Sequence, residues 1–491
     1  MKQYMAVVIG AGPAGHTCAV RMAAMGAKVA VVERDYIGGI CTNWGCTPSK
    51  AMIEAAKIAR IVRESSKYGI RIQDLQIDFK AVAKRRDQVI EQSRQNITRL
   101  LEYHNVDIYL GEADVVEMGR VSVRKGKLDL DGDQMHYTGE KEEIQAEHII
   151  LATGSQPLIP EFIGRDNPFV VSSNRLISIG TLPERLTIIG GGVIGLEFAT
   201  IFSNLGSQVT IIEYLDRILA GMDPEISEEL CREMTANGVE ILTSHKVTSV
   251  EAGLVLAEDR REGRMVEVPS EAILVAIGRK PVIEKEMFNR LGIDYTDKGI
   301  CVDEFMRTNV PGVWAIGDAT GKSILAHVGI QQGIVCAENI MKAAYEPSRR
   351  MDYDVIPAVV YSIPELVSVG YIPEGVMAVE VYKIPFSVNM RARVEGFDEG
   401  FIKIWVKDHQ ILASQAIGHN VSEIMQEIAN MIALKTPIHQ VAEIIHAHPT
   451  YAEITRSILE YAMDKQVDFI CEGPEFACSA YRPEEMALEY R

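Results

Sequence analysis

Two cysteines, Cys41 and Cys46, are separated by four residues in a glycine-flanked stretch that runs from Gly38 to Lys50. A thiol pair this close in sequence can reach disulfide geometry when the chain between the two coils, because their Cα atoms must approach to within about 7 Å. The glycines would let the backbone lie against a flat ligand, and Lys50 adds a cation. The other interpretation is two buried cysteines at the start of a helix, since free cysteine packs as a small hydrophobic residue. The surrounding elements decide between the two.

The composition is that of a globular chain with several cores. Hydrophobic residues make up 47% of the 491 residues and charged residues 24%, and this length predicts roughly two to four domains. The net charge of −18 argues against a nucleic-acid-binding protein, which needs a basic face. Eight cysteines do not make a disulfide framework in so long a chain, and no secretory leader is visible, so we expect a reducing, cytoplasmic location. No segment approaches the roughly 18 apolar residues of a membrane span.

A nucleotide-binding unit opens the chain and recurs with an offset of 180 residues. In each copy an apolar strand is followed by spaced glycines, a helical run and a second strand that ends in a glutamate. The glycines permit a tight turn and bring a pyrophosphate onto a helix N-terminus, while the acid can accept hydrogen bonds from ribose hydroxyls. The repeat therefore predicts two nucleotides on one chain. The matched residues are Gly10, Gly12, Gly15 and Glu33 in the first copy, and Gly190, Gly192, Gly195 and Glu213 in the second.

Glu213 indicates which pyridine nucleotide the second unit takes. A 2′-phosphate would face this carboxylate, and unit charges about 4 Å apart interact by about 4 kcal/mol at an effective dielectric of 20. A site for the phosphorylated nucleotide is expected to carry an arginine here instead. Arg217 is near in sequence, but Asp216 stands beside it. We therefore expect NAD rather than NADP.

The remaining segments are assigned from their patterning. Residues 51–105 read as two long helices, and Asp129–Glu143 reads as an exposed hairpin or loop. Alternation after residue 352 predicts an antiparallel sheet, with helices from Val421 and from Val441. Asp318 follows a strand beside a glycine. There it can bind a sugar-like chain or cap a turn, and the local sequence favours neither.

A histidine motif stands near the end of the chain. Thr450 and Glu453 have the spacing of a capping box that opens a helix. The same glutamate, one turn into the helix, could orient His448 as a general acid/base, and the two roles are compatible. His446 invites the same argument, but the sequence offers it no orienting partner.

Taken together, these motifs resemble the pyridine nucleotide-disulphide oxidoreductase family, and within it the branch that acts on lipoamide. The resemblance covers nearly the whole chain. Its motifs, in order, are GxGxxG with Glu33, GGxCxNxGCxPSK, Ala152-Thr153-Gly154, GGGxIGxE ending at Glu197, Gly317-Asp318, Leu325-Ala326-His327 and His-Ala-His-Pro-Thr-x-x-Glu.

The resemblance implies an α/β fold with two Rossmann-like domains and a C-terminal α+β interface domain, assembled as a homodimer. The FAD-binding domain would occupy residues 1–155 and include the helical insert 51–105. The NAD-binding domain would follow at 156–280. A central domain (281–351) would complete the FAD site, and the interface domain would span 352–491.

The resemblance also implies a role for each site residue. Cys46 would lie against the flavin as a thiolate, Cys41 would exchange with substrate, and Lys50 would pair with Glu197 near the flavin ring. FAD would be held by Gly10, Gly12, Gly15, Glu33, Lys50, Thr153, Gly154, Asp318 and Ala326, and NAD by Gly190, Gly192, Gly195, Glu213 and Gly278. No residue set suggests a metal site.

By the same likeness, His448 and Glu453 would reach the active site from the second subunit. The implied reaction is oxidation of protein-bound dihydrolipoamide to lipoamide with reduction of NAD. The implied partner is a lipoyl-carrying protein of a 2-oxoacid dehydrogenase or glycine cleavage type system. Two alternatives stay open: an NAD(P)H-driven reductase of another disulfide or a metal substrate, and a low-turnover flavoprotein that serves as a docking subunit.

The sequence departs from the family pattern at two positions beside the cysteines. Ile40 replaces a small hydroxyl residue and Trp44 a small aliphatic one, which puts the disulfide potential and substrate access in question. Cys471 and Cys478, with six residues between them, read as structural cysteines.

Overall fold

The computed structural model describes residues 1–128, 135–163, 167–342 and 348–480. The first unit contains strands and helices in alternation, followed by a meander. Its elements are β1 (Lys2–Ile9), α1 (Pro13–Ala24), β2 (Val29–Glu33), α2 (Gly39–Asn43), α3 (Cys46–Arg63), α4 (Phe79–Tyr103), β3 (Asp107–Glu117), β4 (Arg120–Leu128), β5 (Met135–Leu151) and β6 (Ser155–Pro157).

The second unit repeats this plan. Its elements are β7 (Val170–Val171), α5 (Ser173–Ile177), β8 (Arg185–Ile189), α6 (Val193–Leu205), β9 (Gln208–Ile212), α7 (Pro224–Ala236), β10 (Glu240–Leu242), β11 (His245–Glu251), β12 (Leu254–Asp259), β13 (Met265–Pro269), β14 (Ala272–Val275) and β15 (Arg279–Pro281).

The chain then returns to the first sheet before it enters the last unit. The returning elements are α8 (Lys285–Leu291), β16 (Tyr295–Thr296), β17 (Gly299–Ile300), β18 (Val313–Ala315) and α9 (Ala326–Met341). The last unit contains β19 (Ala358–Val360), β20 (Glu365–Gly370), β21 (Glu380–Pro385), α10 (Met390–Glu395), β22 (Phe401–Lys407), β23 (Gln410–Gly418), α11 (Val421–Leu434), α12 (Ile438–Ala442), α13 (Glu453–Ala462) and β24 (Ala477–Ala480).

Both nucleotide units are built on parallel sheets. In the first, β1 pairs in parallel with β2 and β5, β2 with β3, and β5 with β18, while β4 joins β3 and β5 as an antiparallel meander. In the second, the five parallel strands have the order β10-β9-β8-β14-β7, beside a meander of β11, β12 and β13. All five residues of β2 are buried, as expected for a parallel strand covered on both faces.

The last unit is an antiparallel sheet of order β19-β20-β23-β22-β21-β24, with α11, α12 and α13 packed against its core. This agrees with the predicted antiparallel sheet and with the predicted helix from Val421. Cys478 lies on the edge strand β24, where its assignment as a structural residue stays a prediction.

The two helices of the insert are confirmed. α4 begins after Asp78, whose carboxylate accepts the Ala81 N–H at 3.1 Å and caps the helix. The predicted hairpin at 129–143 is present as the β4–β5 pair, although residues 129–134 lie outside the described part. The residue boundaries of the four domains stay a prediction.

The predicted helix from Val441 is wrong. The short α12 ends at Ala442, and the next helix, α13, begins at Glu453, where the Thr450–Glu453 spacing predicted a helix. Pro449 lacks an N–H and disfavours helical backbone at His448, so the helix cannot pass through this segment. The irregular stretch carries both histidines of the motif.

Candidate active site

The two cysteines are carried by consecutive helices, Cys41 on α2 and Cys46 at the first position of α3. The helices meet at Gly45, where an added Cβ would lie 3.3 Å from the Cys41 Cα and 3.1 Å from the Ile40 carbonyl oxygen. The chain therefore coils tightly between the cysteines. The two thiols lie close enough for each to shift the pKa of the other, and both line the same cavity. The structure thus brings together the thiol pair that the sequence predicted.

The two thiols have different acidities. The pKa of Cys46 is lowered to about 7, chiefly by the hydrogen bond with Cys41 and further by the charge of Lys50, although burial opposes the shift. Cys46 also begins an 18-residue helix, whose N-terminal amides favour a thiolate. The pKa of Cys41 is raised by the same hydrogen bond and by burial. Cys46 is therefore the thiol that ionises first.

A half-buried ion pair lies beside the cysteines. The Lys50 Nζ is 3.0 Å from both carboxylate oxygens of Glu197, whose side chain is only 10% exposed. The Tyr361 N–H donates to Glu197 Oε1 at 3.2 Å, and the Lys50 ammonium lies 4.2 Å from the centroid of the Tyr361 ring. Three units meet here: α3 supplies Lys50, α6 supplies Glu197, and the segment after β19 supplies Tyr361.

A cavity of about 880 Å³ runs along the cysteines and the first glycine loop. Its volume lies within the roughly 300–1,000 Å³ typical of ligand and cofactor sites. Ile40 and Trp44 also line it, so both departures from the family pattern face the site. All nine residues predicted to hold FAD are part of its wall: Gly10, Gly12, Gly15, Glu33, Lys50, Thr153, Gly154, Asp318 and Ala326.

The glycine loop of the first unit packs too closely against neighbouring backbone to accept side chains at Gly10 and Gly39. An added Cβ at Gly10, where φ is +106°, would lie 2.2 Å from the Ala152 carbonyl oxygen. An added Cβ at Gly39 would lie 2.7 Å from the Gly12 Cα. The segment that leads into the loop between Cys41 and Cys46 (the redox loop) therefore touches the first glycine loop directly. These close approaches fit a pyrophosphate on the loop, and the cysteines line the same cavity.

Glu33 and Glu213 brace their glycine loops in the same way. Glu33 accepts the N–H groups of Ala11 at 2.7 Å and Asp35 at 2.9 Å. Glu213 accepts the N–H groups of Gly191 at 2.6 Å and Leu215 at 2.7 Å, which are the same contacts displaced by 180 residues. Glu33 is buried, and burial raises its pKa. The internal repeat is therefore preserved in side-chain detail.

The residues predicted to hold NAD lie outside the cavity. Gly190 has φ of +109° and packs against the Ala276 carbonyl, as Gly10 does against Ala152. The second unit reaches the cavity mainly through one face of α6, which contributes Val193, Ile194, Glu197 and Phe198, and also through Ser173 and Arg279. The glycine loop that precedes this helix thus stands next to the cavity wall, where a nicotinamide could approach a flavin.

Sequence reasoning missed two residues that hold Asp318. The Ser155 hydroxyl donates to Asp318 Oδ2 at 2.6 Å, and the Arg279 Nε donates to the same hydroxyl at 2.9 Å. The pKa of Asp318 is raised, mainly by burial. Asp318 lines the cavity, which favours ligand binding over turn capping. A sequence signal for both residues was present. Ser155 directly follows Gly154, and Arg279 directly follows Gly278, and both glycines were predicted to bind a cofactor.

His448 and Glu453 form a pair away from the cavity of their own chain. The His448 Nδ1 is 2.9 Å from Glu453 Oε1, while Glu453 Oε2 accepts the Thr450 N–H at 2.8 Å. The glutamate therefore braces the loop and orients the imidazole at once. The Thr450 hydroxyl donates to the Ala447 carbonyl, so only half of the predicted capping box forms. Neither His448 nor Glu453 lines the cavity that holds the cysteines.

The sequence suggested no orienting partner for His446, and this expectation is wrong. Its Nε2 lies 3.2 Å from Glu427 Oε1 on α11, and its Nδ1 lies 2.9 Å from the Ile444 carbonyl oxygen. Glu427 is 19 residues away in sequence, so no local pattern indicated this contact. The His446 side chain is 7% exposed, in contrast to 66% for His448. His448 is thus the accessible imidazole.

Comparison with known proteins agrees with this geometry. The model of the pyridine nucleotide-disulphide oxidoreductase family matches residues 4–333, and the model of its dimerisation domain matches residues 356–458. The chain belongs to this family. Enzymes of the family are FAD-dependent, pyridine-nucleotide-linked disulfide oxidoreductases, and the dimerisation domain supports a homodimer. No helix among the described residues is long and apolar enough to cross a membrane.

Relatives within the family match over nearly their whole length. The dihydrolipoyl dehydrogenase of Chlamydia muridarum is 34% identical over 93% of this chain and 96% of its own. That of Geobacillus stearothermophilus is 34% identical over 94% of this chain and 97% of its own. Among solved structures, the Cu(II) complex of the HOCl-induced flavoprotein disulfide reductase RclA from Escherichia coli superposes with a TM-score of 0.81 at 26% identity, and covers 94% of this chain and 100% of that one.

Proposed function

We propose that the enzyme oxidises dihydrolipoamide carried on a partner protein to lipoamide, with NAD as the electron acceptor. The observation that carries this proposal is the proximity of Cys41 and Cys46 on the wall of a cavity that fits FAD. The relatives named dihydrolipoyl dehydrogenase support the choice of substrate. The partner would be a lipoyl protein of a 2-oxoacid dehydrogenase or glycine cleavage type system.

The first step is the attack of the substrate on the disulfide at Cys41. His448, held by Glu453 at 2.9 Å, takes a proton from one thiol of the dihydrolipoyl group. The resulting thiolate attacks the Cys41 sulfur, the Cys41–Cys46 bond breaks, and Cys46 leaves as a thiolate. The lowered pKa of Cys46, about 7, makes it the better leaving group of the two.

The second step of the disulfide exchange releases the product. The remaining substrate thiol attacks the substrate sulfur of the mixed disulfide, which closes the cyclic disulfide of lipoamide and returns the electron pair to Cys41. Two substrate thiols are thereby oxidised and one protein disulfide is reduced. FAD, when bound, would take these two electrons from the dithiol and pass a hydride to NAD. Lys50 lies where its charge stabilises the Cys46 thiolate, and Glu197 fixes the position of Lys50.

His448 would act on the cysteines of a second copy of the chain. Support comes from its absence from the cavity of its own chain, from its 66% exposed side chain and from the dimerisation domain that contains it. An accessible base on an interface domain can complete the site of the other subunit. We also propose a reducing compartment such as the cytoplasm, where the thiols outside the redox pair stay free.

The test is steady-state reduction of NAD by free dihydrolipoamide and then by dihydrolipoyl domains from candidate complexes. We expect turnover with both substrates and a lower KM for the cognate domain. Cys41→Ser is the control, because it removes the exchanging sulfur and leaves Cys46 in place. Turnover by Cys41→Ser near the parent rate would refute the proposal. Absence of turnover by the parent protein would also refute it and would favour the docking-subunit alternative.

A metal-ion reductase is the second candidate, because the solved relative RclA binds Cu(II) in its complex. In that case NADH oxidation should depend on added Cu(II) and should exceed the rate of dihydrolipoamide oxidation. The described residues contain no group of three or more His, Cys, Asp or Glu side chains that could hold a metal ion. Measuring both rates on one preparation separates the two candidates.

A further inference from the structure

The loop between the two cysteines is held from outside by the long helix α4. Asn43, the central anchor of this loop, is only 3% exposed. Its amide nitrogen donates to the carbonyls of Tyr36 (3.4 Å), Ile37 (3.2 Å) and Gly39 (2.8 Å). Its amide oxygen accepts two hydrogen bonds from Arg94, at 3.1 Å from Nε and 2.8 Å from Nη2. Every polar atom of the Asn43 side chain is therefore used.

The Arg94 guanidinium is fixed on its other sides as well. Its Cζ lies 4.1 Å from the centroid of the Tyr36 ring, and Nη1 donates to Glu91 Oε2 at 3.2 Å. The Tyr36 ring in turn packs edge-on against Trp44, at 5.8 Å between centroids. Arg94 thus contacts the redox loop twice, once through Asn43 and once through the stack that ends on Trp44. A planar group with two parallel donors and a stacking face suits both contacts, whereas a lysine ammonium can make neither the paired donation nor the planar stack.

We propose that Arg94 is a positioning residue for the redox disulfide: through Asn43 and Tyr36 it holds the loop in the coil that brings the sulfurs of Cys41 and Cys46 together. This inference rests on the proposed function. A held loop keeps the two thiols at high effective concentration and so favours the disulfide over the open dithiol. The charges that act on Cys46 come from Lys50 and Glu197, so Arg94 acts through geometry.

The consequence is a change in redox equilibrium when Arg94 is replaced. In the exchange with an external dithiol, the Cys41–Cys46 bond breaks, both cysteines gain a proton, and the external dithiol becomes a disulfide. Without Arg94 the reduced loop gains freedom, so its dithiol form becomes more stable. We expect Arg94→Met to shift this equilibrium about tenfold toward the dithiol, or about 30 mV for a two-electron couple.

The experiment is an anaerobic redox titration of the FAD-loaded protein in dithiothreitol buffers of defined ratio, quenched with an alkylating agent. Mass spectrometry of the peptide that contains Cys41 and Cys46 gives the fraction reduced. Arg94→Lys keeps the charge and should behave like Arg94→Met. Arg99→Met changes an exposed arginine of the same helix and should match the parent.

Tyr36→Leu serves as the second variant, because it removes the stack and leaves the Arg94–Asn43 bonds. It should shift the equilibrium in the same direction by a smaller factor. A parent-like potential in Arg94→Met and Tyr36→Leu, or full rescue by Arg94→Lys, would overturn the inference. A parent protein in which Cys41 and Cys46 form no reducible disulfide would instead refute the proposed function, so the two failures are distinguishable.

Discussion

Lys50 and Glu197 act on the same thiol in opposite directions, and this makes the ion pair the sharpest test of the site. The charge of Lys50 lowers the pKa of Cys46, whereas the charge of Glu197 raises it. Replacing Lys50 by methionine should therefore raise the Cys46 pKa above 7. Replacing Glu197 by glutamine should lower it, because the amide keeps an oxygen for the Tyr361 N–H but carries no charge.

The size of the effect follows from the environment of the pair. An opposite charge within about 4–6 Å lowers the pKa of an acid by about 1–3 units. The Lys50 side chain is 36% exposed and already paired with Glu197 at 3.0 Å, so its effect on Cys46 is screened. We expect the low end of the range, about one unit for Lys50→Met, which equals about 1.4 kcal/mol. Glu197→Gln should shift the pKa by about half as much, with the opposite sign.

The assay is a pH titration of the enzyme after anaerobic addition of one equivalent of NADH. A Cys46 thiolate beside bound flavin is expected to give a long-wavelength absorbance. This band should be present above a midpoint near pH 7 and should be lost as the pH falls through it. Lys50→Met should move the midpoint up and Glu197→Gln should move it down. Lys57→Met is the control, since Lys57 lies two turns further along α3 and pairs with Glu365 at 2.7 Å.

Two results would refute this reasoning. If both variants moved the midpoint in the same direction, the ion pair would act through structure and not through charge. If neither moved it while the band was present, Lys50 would not lie close enough to Cys46 to stabilise the thiolate. A parent protein that showed only bleaching of the flavin, with no long-wavelength band, would contradict the coupling between disulfide and flavin itself.

Further predictions concern the base and the nucleotide. His448→Gln should keep FAD and the fold but lose about 100- to 10,000-fold in dihydrolipoamide oxidation; a loss of only a few-fold would exclude it as the base. Mixed dimers of Cys41→Ser and His448→Gln chains should recover about half of the parent activity per dimer, because one of two shared sites keeps both residues; no recovery would place each base with its own cysteines. Glu213→Gln should reduce the preference for NAD over NADP in kcat/KM at least about tenfold, whereas an unchanged ratio would show that Glu213 does not set it.

The parts that the sequence predicted correctly depend on short-range patterns. The two nucleotide units follow from glycine spacing and from apolar strands that end in Glu33 and Glu213, because a βαβ unit closes within a few tens of residues. The proximity of Cys41 and Cys46 depends on a loop of only four residues. The same holds for α4, whose capping Asp78 and helical periodicity lie within one continuous segment.

The parts that it missed depend on contacts between distant segments. His446 finds Glu427 only because α11 packs beside the irregular segment before α13. Asp318 meets Ser155, 163 residues away, where the chain returns to its first sheet. The helix predicted from Val441 failed for a local reason, since the apolar pattern continued while Pro449 interrupted the backbone. The helix predicted from the Thr450–Glu453 spacing is present as α13.

The sequence by itself determined which chemistry this chain carries: two nucleotide units, a thiol pair, a cation next to it and a histidine–glutamate pair, each encoded within a few residues. Only the tertiary structure decided how these parts combine. It placed Glu197 on Lys50 across 147 residues, tied Arg94 to Asn43 across 51, and left His448 outside the cavity of its own chain. The physical reason is that local spacing fixes backbone conformation, whereas contacts across units depend on how whole sheets and helices pack.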